Sequence, residues 1–150
     1  MKIKHSLIIV LMLFLSFCSK DDNDIDSFAF GTAAGECYGN CARFFLIKNN
    51  NLYPDDMDYY YNADLKFQNE PLSVDKYNLA KSLVDDFPIY LKNNPNKTFG
   101  CPDCYDQGGV HIEINRNGDI EIWHIDMSVD SQPTEIRNYI QEMLNILEQL

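Results

Sequence analysis

Apolar and polar positions alternate or recur with enough regularity to lay out most of the chain. The segment 42–48 (ARFFLIK) is dense in β-formers, Asn49-Asn50-Asn51 is a turn signal, and Leu52-Tyr53 starts a return strand before Pro54. Leu65 and Phe67 alternate with polar residues, which predicts a short strand up to Asn69. From Ser73, an N-cap residue, Val74, Tyr77, Leu79, Ala80, Leu83, Val84 and Phe87 recur at helical spacing until Asp85-Asp86-Phe87-Pro88 ends the helix. Pro88 then opens one further turn through Lys92. Two alternating runs, 110–115 and 119–126, flank Arg116-Asn117-Gly118 and predict a hairpin. The last segment, capped by Asp130 or Ser131 with Pro133 in its first turn, carries Ile136, Tyr139, Ile140, Met143, Leu144, Ile146, Leu147 and Leu150 as a broad apolar stripe. The segment 28–39 (FAFGTAAGECYG), rich in Gly and small residues, reads as loop or edge. The predicted fold is α+β: an antiparallel sheet of about five strands with two main helices on one face, the C-terminal helix closing the core.

The hairpin register decides what its outer face shows. A two-residue Asn-Gly turn puts Val110, Ile112 and Ile114 on the face opposite Ile120 and Ile122. A three-residue loop pairs Asn115 with Asp119, so that Ile114 meets Ile120 and Ile112 meets Ile122. The second register makes one face apolar and is the expected one. It turns Trp123 and His111 outward and sets Glu113 opposite Glu121, a like-charge pair that a cation such as calcium could bridge.

The N-terminus changes the picture from a free domain to an exported one. Residues 1–6 are short and basic, and 7–17 (LIIVLMLFLSF) form an apolar run too short for a comfortable membrane span. The run ends at Leu15-Ser16-Phe17-Cys18, which resembles the lipobox of bacterial lipoproteins. The following Ser19-Lys20-Asp21-Asp22 is similar to the export signal of Bacteroidota surface lipoproteins. These resemblances imply a signal peptide over 1–17, lipidation of Cys18, an acidic tether over 18–30 and a single domain over 31–150. They imply an outer-membrane, surface-exposed lipoprotein held to the membrane through its lipid anchor. The other reading is an ordinary signal peptide that ends near a cysteine.

Charge narrows the partners. The 150-residue chain has a formal net charge of −11, and the part after Cys18 carries 10 basic against 23 acidic residues. Such a surface repels phosphate backbones, so no nucleic-acid partner is expected. It favours solubility and cationic partners, including metal ions. A protein or glycan is the partner expected of a binding module.

Four cysteines remain after Cys18: Cys37, Cys41, Cys101 and Cys104. An even count in an exported chain points to disulfides, with three connectivities open. Loop-closure entropy favours links between the two motifs. A zinc site built from C-x3-C and C-x2-C is the other reading of the same spacing. Gly35-x-Cys37-Tyr38-Gly39-x-Cys41, followed by a strand, a turn and a Tyr-containing strand, resembles a family of bacterial secreted domains of unknown function. That resemblance implies a small α+β shape and a local Cys37–Cys41 pair, and it brings no activity. Cys101-Pro102-Asp103-Cys104 with the following Asp106-Gln107-Gly108-Gly109 looks like other small, uncharacterised Bacteroidota lipoproteins.

Three functional classes compete. A C-x-x-C could serve a thiol–disulfide oxidoreductase, but a reactive thiol needs a helix N-terminus or a cation, and here Asp103 and Asp106 surround the pair and Gly108-Gly109 forbids a long helix. A hydrolase around His111 lacks a neighbouring nucleophile, and no G-x-S-x-G, H-E-x-x-H or nucleotide loop is present. The third class, a non-enzymatic binding module with no cofactor, metal or catalytic residue, is the expectation; an inhibitor of secreted enzymes is a variant of it. The candidate binding face is His111, Glu113, Glu121 and Trp123.

Overall fold

The computed structural model describes residues 25–35, 41–57 and 64–150. Cys18, Cys37, the signal segment and the Tyr59-Tyr60-Tyr61 run lie outside them. The described residues form an α+β fold. Its elements are β1 (Ser27–Ala33), β2 (Ala42–Lys48), β3 (Asn51–Pro54), α1 (Val74–Asp85), α2 (Ile89–Lys92), β4 (Thr98–Phe99), β5 (Gly109–Arg116), β6 (Asp119–Asp126), a 3-10 turn (Val129–Ser131) and α3 (Thr134–Gln149). The six strands run in the order β3-β2-β1-β5-β6-β4. All neighbours are antiparallel except β4, which runs parallel to β6. The sheet is therefore mixed and has one strand more than expected.

The largest departure is β1. The segment predicted as loop or edge is a central strand between β2 and β5. Phe28 and Phe30 point to the helix side, where they are fully buried against Ile112 and Ile114 of β5 and Phe45 and Ile47 of β2. Ala29 and Gly31 point the other way, and small residues suit that side because the chain packs tightly there. A Cβ on Gly31 would collide with the Arg43 carbonyl and the Phe44 side chain. Since β1 starts at Ser27, the ordered sheet begins ahead of the domain boundary expected at residue 31. Asp26, expected in a free tether, is already bound to the sheet: its N–H donates to the Asn115 carbonyl, and its Oδ2 accepts the Asn117 N–H at 2.5 Å. The strand predicted around Leu65 and Phe67 reduces to a single bridge between Asp55 and Phe67.

The hairpin also departs from expectation. Arg116 pairs with Asp119, Asn115 with Ile120 and Ile112 with Trp123, so the turn is the two-residue Asn117-Gly118. Both residues have positive φ, 56° and 92°, as a type I′ turn requires. The helix-side face of the hairpin is Val110, Ile112, Ile114, Trp123 and Ile125. Ile120 and Ile122 lie on the other face, and Ile120 is 50% exposed.

The helices close one face of the sheet. Phe87, just past α1, makes edge contacts with Phe28, Trp123 and Tyr139, tying β1, β6 and α3 together. Tyr139 Oη donates to the Leu83 carbonyl at 2.7 Å. That carbonyl lies in the last turn of α1, where Phe87 N–H turns to Val84 instead, so the tyrosine satisfies a helix-end acceptor. The terminal helix starts at Thr134 with Pro133 as its N-cap, slightly later than predicted. It buries Ile136, Tyr139, Ile140, Met143, Ile146 and Leu147.

The β6 edge is closed locally. Asn96 Oδ1 accepts the Ile122 N–H at 2.9 Å, and the Lys97 carbonyl accepts the His124 N–H. Trp123 Nε1 donates to the Asn94 carbonyl at 2.8 Å.

Candidate functional site

The proposed outward face does not assemble. Trp123 is 0% exposed in the core, and Glu121 shares its side of the sheet, paired with Arg116 near the turn. His111 and Glu113 lie on the opposite side. Glu113 and Glu121 therefore cannot share a bridging cation, and His111 does not stack on Trp123. The reason is the register: the two-residue turn moves every β6 side chain to the face opposite the expected one. Among the described residues, no group of three His, Cys, Asp or Glu side chains is placed to hold a metal ion.

The structure groups different residues there. His111 pairs across the strands with His124, ring centroids 5.0 Å apart, and touches Phe44 edge-on at 5.6 Å. Its Nε2 is 3.8 Å from Glu113 Oε2. Phe44 is 0% and His111 3% exposed, so this side is itself a packed layer rather than a surface. Burial, followed by the neighbouring His111, pushes the His124 pKa below its ordinary value.

The cysteines resolve in part. Cys101 and Cys104 are joined to each other, with Cα atoms 5.5 Å apart. Cys41 is also in a disulfide, whose other half lies outside the described residues. With Cys101 and Cys104 joined to each other, neither is left to cross-link to the first motif. The entropic preference for long loops is not followed here, because two tight turns place Cys101 and Cys104 at bonding separation within one loop.

Those turns are built by acids. Asp103 and Asp106 both adopt positive φ, 60° and 59°, a conformation that short polar side chains tolerate. Asp103 Oδ1 accepts the Gly108 N–H at 2.9 Å, and Oδ2 accepts the Gly35 N–H at 2.6 Å. The Asp103 N–H donates to the Gly108 carbonyl. Gln107 closes the loop from inside, accepting from Tyr105 N–H and donating to the Cys101 carbonyl. The Cys101 N–H donates to Asp126 Oδ2 at 3.1 Å. The next element after the pair is a strand, β5, not a helix, and the carboxylate of Asp126 lies against the Cys101 backbone.

Beside this loop lies a concavity that sequence reasoning missed. A cavity of about 510 Å³ runs between the end of β1, the start of β2 and the loop, lined by Thr32, Cys41, Arg43, Asp55, Gly108 and Met127 among others. A second hollow of about 570 Å³, lined by Tyr105, Asp126, Met127 and Ser131 among others, meets the first at Gln107 and Met127. Tyr105 stands at this end with 87% of its surface exposed. Asp55 is committed to the backbone, accepting from Phe44 N–H at 2.5 Å and Met57 N–H at 3.1 Å. Exposed Tyr105 next to C-x-x-C was the available sequence signal. Nothing in the sequence, however, indicated that Arg43 would share its pole. The chain matches no protein-family model, and no curated protein is significantly similar to it.

Proposed function

We propose that the chain is a membrane-anchored, non-enzymatic binding module of the cell envelope, with its ligand engaged at the pole formed by the disulfide loop. The observation that carries this reading is the double hollow edged by exposed Tyr105 on a loop locked by a disulfide and by Asp103 and Gln107. A rigid rim with an exposed aromatic beside a cavity of this size is what small-ligand and peptide recognition needs.

The geometry of chain entry supports the anchoring part. Ile25 and Asp26 enter β1 at the pole of the Asn117-Gly118 turn. The disulfide loop lies at the far end of β1, about 20 Å away at the rise of an extended strand. A lipid on Cys18 would hold the entry pole toward the bilayer and leave the hollow facing outward. The signal segment, the lipobox-like Leu15-Ser16-Phe17-Cys18 and the acidic stretch after it support export to the outer membrane.

An oxidoreductase reading has less support, because Cys101 and Cys104 lack a following helix and sit among carboxylates. The inhibitor reading is a special case of binding: a disulfide-closed loop with Tyr105 at its tip could insert into an enzyme cleft.

The test is affinity capture with the domain from Ser19 onward, run beside Tyr105→Ala and Met127→Glu. Capture of a specific protein or glycan by the wild-type domain, lost in both variants, supports the reading. Equal capture by the variants, or catalytic reduction of a disulfide substrate by the wild-type domain, would sink it.

A further inference from the structure

We infer that the hollow between β1, β2 and the disulfide loop is a carboxylate-binding site in which Arg43 is the recognition group; this rests on the binding-module reading above and names the chemistry of its ligand. The chain has three arginines. Arg116 pairs with Glu121, and Arg137 Nε donates to the Gln132 carbonyl. Among the described residues Arg43 has no acceptor for its guanidinium; it lies over the Phe45 ring, whose centroid is 5.7 Å from Cζ. It is also the only basic residue among the described ones that line this cavity.

An unpaired arginine in a chain of net charge −11 calls for a reason, because acids to neutralise it are abundant. The nearest candidate, Asp55, lines the same hollow but spends both oxygens on backbone amides of Phe44 and Met57. The guanidinium thus keeps its planar fork of donors for a group from outside. Contact with Phe45 holds the fork in place without using its N–H groups, which lowers the ordering cost when a ligand arrives. Around it, Thr32 carries a hydroxyl, while Ala33, Ala42 and Met127 offer apolar wall. That combination fits a planar carboxylate held bidentately, attached to a body of modest size that rests on the apolar wall. A phosphate would fit the fork as well. Its second charge, however, would face the acidic surface of the whole domain, so the singly charged carboxylate is favoured.

Such a carboxylate can come from an acidic sugar or from a peptide C-terminus. The experiment titrates the domain from Ser19 onward with galacturonate and with acetyl-alanyl-alanine, using methyl galactoside and the alanyl-alanine amide as uncharged controls. The expected result is saturable binding of at least one acid, absent for its control and weakened about 10- to 100-fold in Arg43→Gln. Arg43→Lys should recover only part of it, since it keeps the charge and loses the fork. Arg43 is exposed, and an unchanged melting temperature verifies that each variant is folded. Which acid binds identifies the source of the carboxylate. No saturation by either acid below about 10 mM, or equal binding by Arg43→Gln, overturns the assignment. If Arg43→Gln still captures the partner of the wild-type domain, the carboxylate assignment fails while the binding module stands. If the wild-type domain captures nothing, the broader reading fails.

Discussion

Asp103 Oδ2 accepts the backbone N–H of Gly35 at 2.6 Å, across 68 positions of sequence. The carboxylate sits inside the Cys101–Cys104 turn, and Gly35 lies just beyond the end of β1. The same side chain holds Gly108, so one residue fixes the loop both to itself and to the central strand. Asp103→Ala removes two charge-assisted hydrogen bonds and places a β-carbon residue at positive φ without local compensation. It should cost about 2–3 kcal/mol in urea unfolding. Asp103→Asn, which tolerates the same backbone conformation, should cost roughly half that. A change below about 0.5 kcal/mol for the alanine variant would show that the disulfide alone holds the loop.

The hairpin register makes an unequal prediction for two isoleucines of β6. Ile125 is buried on the helix side, and Ile125→Ala should cost about 2–4 kcal/mol. Ile120 is half exposed on the other face, and Ile120→Ala should stay within about 0.5 kcal/mol. The reverse order would restore the three-residue loop. Tryptophan fluorescence reports independently: Trp123, the sole tryptophan, should emit to the blue of free tryptophan and shift red only when the whole domain unfolds.

His124 links stability to acid. Its pKa is lowered in the fold by burial, then by His111. The unfolded chain therefore binds a proton first as pH falls. The stabilisation from keeping His124 neutral is present above the ordinary value of 6.5 and is lost as pH drops from there through the lowered value. Denaturant midpoints measured across that window should fall, and the fall should be shallower in His124→Gln. An identical slope in the variant would assign the acid sensitivity to other groups.

Tyr139 predicts the opposite limb. Burial, with smaller contributions from Glu142 and Asp86, raises its pKa well above 10.0, so the fold keeps the hydroxyl protonated and bonded to the Leu83 carbonyl. The associated stability is complete below 10.0 and lost as pH rises beyond it. Tyr139→Phe should cost about 1–2 kcal/mol at neutral pH, by leaving the Leu83 carbonyl without this donor, and should flatten the alkaline loss. Urea titrations of both proteins at neutral and alkaline pH measure the two effects together.

The helices, β2, β3 and the existence of the β5–β6 hairpin were readable from periodicity, because each has a single strong pattern. Residues on the second face of the sheet hid the rest. The register argument assumed one apolar face and one polar face. Here Phe44, Ala29 and His111 are buried opposite the helices, so Ile120 and Ile122 carried no information about which side is the core. The same packed second face explains β1: Gly31 looked like a loop residue but is small because Phe44 and the Arg43 carbonyl lie against it. The candidate face failed with the register. Arg43 escaped notice because its significance comes from an Asp55 already occupied by backbone amides, which no local spacing reveals.

The acceptors at Asn96 and Lys97 have a consequence for crowding. If the chain is anchored as proposed, copies side by side on one membrane would meet edge to edge far more often than molecules free in solution. An open β6 edge would then template sheet-to-sheet growth between neighbours. Asn96 Oδ1 and the Lys97 carbonyl occupy the Ile122 and His124 amides, while at the other margin β3 is only four residues long and ends in Pro54, which has no amide to offer. The free amides of β6 are thus taken up within the chain, the border strands β4 and β3 are only two and four residues long, and neither offers a neighbouring copy a long edge to extend.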